Sequence, residues 1–396
     1  MMQISPETQL FIREHSSDDV RVLALQAKKY PDINMPTAIT QIAGRQVAAE
    51  KIPSWWEIEK IWYPKHLSLE QCSSEITARY KARLSQGDSL TDLTGGFGID
   101  CSFLATGFKS ATYVERQEEL CEIAAHNFPI LHLNHINVRN EDGVAYLQTM
   151  SPVDCIFLDP ARRNEHGGKT VSIADCEPNV AELEALLLSK ANRVMIKLSP
   201  MLDLSLALKE LKQTQEVHIL SVNNECKELL ILLGQTSPAE ITIHCVNLFT
   251  KGTQEEQHFV FTREQEQCSE CTYTDSLETY LYEPNASLLK AGAFRSIAAA
   301  YPVRKLHPNS HLYTSDTFIE NFPGRIFRIV NQCSFNKKEV KENLADLKKA
   351  NVTVRNFPAT VAELRKRIHL AEGGDTYLFA STLNNGQKVL IRCEKV

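Results

Sequence analysis

At 396 residues, with 43% hydrophobic and 23% charged residues and no low-complexity tract, the chain has the composition of a folded protein of two to four domains, not of a disordered or fibrous one. No uncharged apolar run approaches about 18 residues, and "MMQISPETQLFIREHSSDDV" carries neither a leader pattern nor an Arg-rich amphipathic one, so a cytoplasmic protein without membrane contact is expected. The net charge of −6 hides an asymmetry: residues 280–396 hold 18 Lys+Arg and 10 Asp+Glu, a balance of +8, which leaves −14 for residues 1–279.

A basic C-terminal third on an acidic body points to a polyanionic partner, although "FNKKEVKENLADLKKA" taken alone reads as a solvated helix face. Eleven cysteines in no framework spacing suit reduced thiols. The one CxxC, Cys268 with Cys271, has no second pair to complete a zinc set, so no metal is expected.

Residues 1–80 read as helices. "DVRVLALQAKKY" places Val20, Leu23, Leu25 and Ala27 ahead of Pro31, and "AITQIAGRQVAAEKI" repeats its apolar residues at helical spacing. "PSWWEIEKIWYP" is an aromatic packing cluster, and Ser68 is the expected N-cap of a helix running through "LSLEQCSSEITARYKARL".

From Leu90 strands alternate with helices. Strands are expected at residues 89–93, 110–114, 136–139, 153–158, 193–198, 216–222 and 228–233. Helical segments such as "QEELCEIAAHNF" separate the first five, which implies a parallel sheet with crossover helices. "NNECK" is too short for a crossover, so the last two should form an antiparallel hairpin. After Gly234 a small α+β region over residues 236–320 is expected, with Asn285 as a helix cap. A second compact α+β unit over 321–396 follows, its final hairpin turning at "NNG".

The chemistry concentrates at strand ends. Asp92 closes the first strand, and Thr94, Gly95, Gly96 and Gly98 follow in "DLTGGFGID". Glycines here allow positive φ and close approach of backbone to a ligand, while the next helix offers free N–H groups. A dinucleotide-binding GxGxxG would need glycine where Cys101 stands, which disfavours a dehydrogenase. An acid ahead of the glycines suits the cationic amino group of a sulfonium-bearing nucleoside instead. Glu115, about 20 residues on, is placed to accept ribose hydroxyls. Asp142 is a candidate for the adenine amino group, with helix capping as its structural alternative. "VDCIFLDPARR" puts Asp159 and Pro160 at the mouth of the fourth strand with Arg162 and Arg163 beside it for phosphate or base, and Lys197 closes the fifth.

Together these residues resemble the class I S-adenosylmethionine-dependent methyltransferases over residues 68–235. The resemblance implies an α/β fold with a Rossmann-like seven-stranded sheet over residues 81–235 and S-adenosyl-L-methionine as cofactor. "DLTGGFG" is similar to the variants common among RNA methyltransferases, and the C-terminal region resembles the THUMP-like domain attached to bacterial methyltransferases that share "LEQCSSEITARYKA" and "DPARR". RNA, tRNA or rRNA, is thereby the implied substrate, docked through the basic C-terminal third. Gln71, Ser73 and Ser74 fall where such enzymes contact the methionine end of the cofactor.

"LDPAR" also resembles the "DPPR" of enzymes that methylate uridine at C5, but those carry a cysteine where this chain has Leu198 in "KLSP", and C5 chemistry needs that nucleophile. Nitrogen methylation needs only alignment and a proton acceptor, for which Asp159 and the Pro160 carbonyl are the candidates. Ala161 and Arg162 stand where nitrogen methyltransferases carry a second proline and an aromatic residue.

Overall fold

The computed structural model describes residues 4–162, 172–236 and 238–396, with the side chains of His66 and Arg162 outside that description. It divides into two compact units, residues 1–215 with 230–238 and residues 216–229 with 239–396.

The first unit opens with three helices, Pro6–Glu14, Val20–Leu25 and Met35–Lys51, each headed by a side chain that accepts a free backbone N–H: Ser5, Asp19 and Asn34. Phe11, Leu23, Met35, Ala38 and Ile42 form their core. Leu25 is 87% exposed, contrary to the helical reading that grouped it with Leu23, because the α-helix stops there and a 3-10 turn, Ala27–Lys29, takes over. The aromatic segment packs as expected: Trp55, Ile61 and Tyr63 are buried with Ile52, Leu69 and Ala78. Ser68 is not a cap. It lies inside the helix His66–Gln71, and Ser74 occupies the cap position of the next helix, Glu75–Ala82.

Seven strands follow as β1 (Gly87–Asp92), β2 (Phe108–Glu115), β3 (Ile136–Asn140), β4 (Val153–Leu158), β5 (Ala191–Leu198), β6 (Thr214–Val222) and β7 (Glu225–Gly234). In the first unit β1 pairs in parallel with both β2 and β4, β2 with β3, and β4 with β5, giving the order β3-β2-β1-β4-β5. Crossover helices Glu118–Ile130 and Val180–Lys190 bring each chain segment back to start its next strand in the same direction. All five carboxyl ends therefore open on one side, and the chain leaves β1 in opposite directions toward β2 and β4. Open α/β sheets bind their ligands in such a crevice.

In the second unit β6 leads into β7 through Asn223 and Asn224, both at positive φ (50° and 68°), the two-residue hairpin geometry that asparagine tolerates. Two further strands lie beyond the seven expected: β8 (Thr242–Leu248), parallel to β6, and β9 (Glu256–Thr262), antiparallel to β8. A separate seven-stranded sheet follows from β10 (Tyr280–Pro284), β11 (Arg304–Lys305), β12 (Tyr313–Ser315), β13 (Gly324–Ser334), β14 (Lys349–Val354), β15 (Ala371–Thr382) and β16 (Lys388–Lys395), in the order β11-β12-β10-β13-β16-β15-β14.

Asn285 caps the helix Ala286–Ala291 through Leu288 N–H, and Gly386 at φ 85° turns β15 into β16. Helices Lys337–Leu344 and Val361–Ile368 bury Leu344 and Leu364 with Leu370, Leu378 and Leu390 while exposing Lys337, Lys338, Lys341, Lys366 and Arg367. Among the described residues no helix is long and apolar enough to cross a membrane.

Candidate active site

The loop after β1 is shaped by what glycine lacks. A Cβ on Gly95 would fall inside the Tyr113 ring, and Gly98 adopts φ 88° with a Cβ position 3.0 Å from Phe128. Gly98 is the N-cap of the helix Ile99–Leu104, whose N-terminus no side chain caps. Phe97, 3% exposed, anchors the loop from behind: its ring meets Trp55 edge-on at 5.2 Å between centroids and lies 6.2 Å from Tyr63.

At the head of this loop Asp92 is 1% exposed. Its Oδ1 accepts the Thr94 N–H at 3.0 Å, while its Oδ2 is buried with no hydrogen-bond partner. Burial pushes its carboxyl well above the usual carboxylate range; the Thr94 N–H pulls the other way, and Asp100, Asp159 and Glu115 add to the rise. A buried carboxyl oxygen without a partner leaves a hydrogen-bonding position open at the head of the glycine loop.

Glu115, at the end of β2, is buried and clamps the loop: Oε2 accepts Gly96 N–H at 2.9 Å and Oε1 accepts Gln117 N–H at 2.8 Å. Each oxygen keeps a second lone pair, so the carboxylate can still accept two hydroxyls. Asp142 is exposed and caps the helix Gly143–Thr149, its Oδ1 accepting both Val144 and Ala145 N–H at 3.0 Å.

After β4, the Asp159 N–H donates to Thr94 Oγ1 at 2.6 Å, and Asp159 Oδ2 lies 2.5 Å from Lys197 Nζ, which projects from the end of β5. Lys197 Nζ also stands 3.4 Å from Asp100 Oδ2. On the far side of Asp100, Lys81 Nζ lies 3.0 Å from Oδ1, and the Ser73 hydroxyl donates to Oδ2 at 2.7 Å. Lys81 Nζ reaches Ser73 Oγ at 3.0 Å as well. Burial opposes the charged form of Asp100, but Lys81, Lys197 and the Ser73 hydroxyl outweigh it and bring its carboxyl down to about 2.

A continuous row, Ser73–Lys81–Asp100–Lys197–Asp159, thus links the helix ahead of β1 to the end of β4. Asp92, Thr94, Gly95, Gly96, Gly98, Glu115, Asp159, Pro160 and Lys197 gather at the carboxyl ends of the strands. Gln71 and Ser74 do not join them: Gln71 is exposed at its helix end, and Ser74 Oγ rests 3.3 Å from Thr77 Oγ1. Of Arg162 only the backbone is described, as part of a two-residue pairing with Cys176–Glu177, and Arg163 lies outside the described residues.

Asp100 and Lys81 were missed in the sequence, where a lysine in "TARYKA" reads as a surface residue. The available signal was Lys81's place on the same helical face as Thr77 and Ala78, with Asp100 two residues past the last glycine of the motif.

Comparison with known proteins agrees with this geometry. A model of a ferredoxin-like domain matches residues 280–323, and one of a THUMP-like domain matches residues 324–395. The crystal structure of a methyltransferase candidate from Porphyromonas gingivalis W83 is 34% identical, covers 100% of both chains and superposes with a TM-score of 0.87. An rRNA methylase from Streptococcus thermophilus is 13% identical over 40% of this chain and 94% of its own, with a TM-score of 0.31. A methyltransferase candidate from Streptococcus mutans, solved in complex with SAH, is 12% identical over 40% of this chain and 96% of its own, with a TM-score of 0.30. No curated protein matches. With a full-length relative above the 30% level and the glycine loop, paired carboxylates and strand order in place, the chain belongs to the class I methyltransferase family whose members carry a C-terminal THUMP-like domain.

Proposed function

We propose that the chain is an S-adenosyl-L-methionine-dependent methyltransferase that modifies a base nitrogen in structured RNA, either tRNA or rRNA. The observation that carries the cofactor is the buried, unpartnered Oδ2 of Asp92 beside the glycine loop. In this reading Asp92 Oδ2 accepts from the donor's amino group, the Gly95–Gly96 backbone makes room for its methionine end, and Glu115 accepts its ribose hydroxyls. Asp142, already committed to capping, has its second oxygen for the adenine amino group.

When bound, S-adenosyl-L-methionine supplies an electrophilic methyl group on a sulfonium. The chain's own part is alignment and proton acceptance. Thr94 fixes the backbone of Asp159, and Lys197 fixes its Oδ2. A target amine donating to the Asp159 carboxylate and the Pro160 carbonyl would be oriented with its lone pair toward the donor site, and the carboxylate would be placed to take up its proton. RNA as acceptor is supported by the exposed Lys337, Lys338, Lys341, Lys366 and Arg367 on the two helices of the THUMP-like region, which suit phosphate contacts.

One observation favours a second acceptor class. Arg304, Arg325, Arg328, Arg355, Arg365 and Arg392 all pair with local carboxylates, so these six guanidinium groups are engaged within the fold and offer less to a phosphate backbone. Under this reading the acceptor is a protein or small molecule.

Calorimetric titration with S-adenosyl-L-methionine, followed by transfer of labelled methyl to total RNA, tests both. Donor binding with nuclease-sensitive label supports the RNA reading, and nuclease-resistant label moves the acceptor to the second class. Absence of donor affinity at near-millimolar concentration overturns the enzyme reading and leaves an RNA-binding protein on a methyltransferase scaffold, in which Asp159→Ala would leave function intact.

A further inference from the structure

Away from the strand mouths, the second unit gathers four titratable side chains on one sheet face. Glu216 and His218 are two residues apart on β6 and so project to the same side. His244 lies opposite His218 in the parallel pairing of β8 with β6. His258, on β9, sits opposite Val246, two residues along β8 from His244 and on the same side. The His218 and His244 rings stack at 4.3 Å with 12° between their planes, and His218 Nε2 stands 3.3 Å from Glu216 Oε2. His244 Nδ1 lies 3.2 Å from His258 Nε2. One ligand atom from each of Glu216, His218 and His244 falls within 4.8 Å of the others.

We propose that Glu216, His218 and His244 bind a divalent transition-metal ion of the zinc class, with His258 holding the His244 ring from outside the coordination sphere. Two imidazoles and one carboxylate are a donor set suited to zinc; calcium and magnesium take oxygen ligands. Two ligands bonded to one tetrahedral ion at about 2.0–2.1 Å stand roughly 3.3 Å apart, the separation of the His218 nitrogen and the Glu216 oxygen. Ligating histidines ordinarily offer their other ring nitrogen to a partner that fixes their orientation, and His258 stands at hydrogen-bond distance for that task.

Three ligands leave a fourth position for water. The ion would tie β6 to β8. No local sequence spacing announces the site, because its ligands come from two strands 26 residues apart that only the sheet aligns.

The test uses the full chain, stripped with a chelator and titrated with Zn²⁺ against a competing chelator, with Co²⁺ as spectroscopic probe. The expected result is one equivalent bound, a visible Co²⁺ spectrum of low-symmetry four-coordinate type without thiolate charge transfer, and a higher melting temperature with Zn²⁺. Absence of the thiolate band separates this site from Cys268 and Cys271. His244→Ala and Glu216→Gln, each checked for folding by circular dichroism, are expected to weaken binding by more than about tenfold, and His258→Ala by about tenfold. Unchanged affinity in folded His244→Ala and Glu216→Gln, or no stoichiometric binding by the intact chain, overturns the proposal.

Discussion

Thr94 Oγ1 accepts the backbone N–H of Asp159 at 2.6 Å and so fastens the loop after β1 to the loop after β4. The glycine loop and the Asp159 carboxylate, proposed above to hold the donor and the acceptor, are thereby held in one register. Thr94→Val keeps the shape but leaves that N–H without its partner, at a cost of about 1–3 kcal/mol. Methyl transfer is expected to fall about tenfold or more in kcat while donor affinity changes less. Single-turnover label transfer beside calorimetry separates the two, and an unchanged kcat would show that the link does no positioning.

Asp92→Asn is expected to weaken the donor and strengthen the donor-free protein. Hydrogen bonds to charged groups contribute about 1.5–3 kcal/mol, so donor affinity should drop tenfold or more. A carboxyl whose folded pKa lies above its unfolded one binds more protons when folded. Its favourable contribution is therefore present at low pH and lost as pH rises from the ordinary carboxylate range through the raised folded value. Asparagine escapes that loss, so the variant should melt higher than the parent at neutral pH. Donor binding by the parent should tighten as pH rises and Asp92 ionises, and thermal melts with calorimetry across pH check both trends.

Asp100→Ala strands Lys81, which is 0% exposed, without its carboxylate. Removing one partner of a buried ion pair costs about 3–5 kcal/mol, which urea denaturation would detect as a lower midpoint. Because Asp100 is held down near 2, its contribution is present above the unfolded value of 3.8 and is lost as pH falls from there toward about 2. The parent should show this acid-side loss and the variant should not. Equal midpoints at neutral pH would mean that Lys81 finds another partner.

Gly95→Ala drives a methyl group into the Tyr113 ring, where overpacking costs about 1–3 kcal/mol. The loop must shift away from Glu115, which grips Gly96, so donor affinity is expected to fall with stability. A variant of parental stability and parental affinity would show that the loop has slack.

The parallel core was legible because buried strands leave apolar runs and the glycine loop leaves a composition no helix or strand would choose. Asp92, Glu115 and Asp159 were legible through their places at strand ends. Lys81 was not, since a lysine on an amphipathic helix reads as solvated and only the fold brings Asp100 to meet it. Leu25 and Ser68 misled because helix ends depend on where the chain must turn, which apolar spacing does not encode. The pairing of β8 with β6 was not legible for a related reason: a sheet neighbour is chosen in space.

Phe97 stands between two of the glycines and is buried against Trp55 and Tyr63, residues that precede the first strand of the sheet. The loop proposed to cradle the donor is thus roofed by a segment that carries none of the strand-end motifs. A fragment trimmed to begin near residue 81 would keep every motif and yet expose a phenylalanine at the base of the loop, so the minimal unit for donor binding is larger than the motifs suggest. The helical beginning of this chain is a foundation of the proposed site.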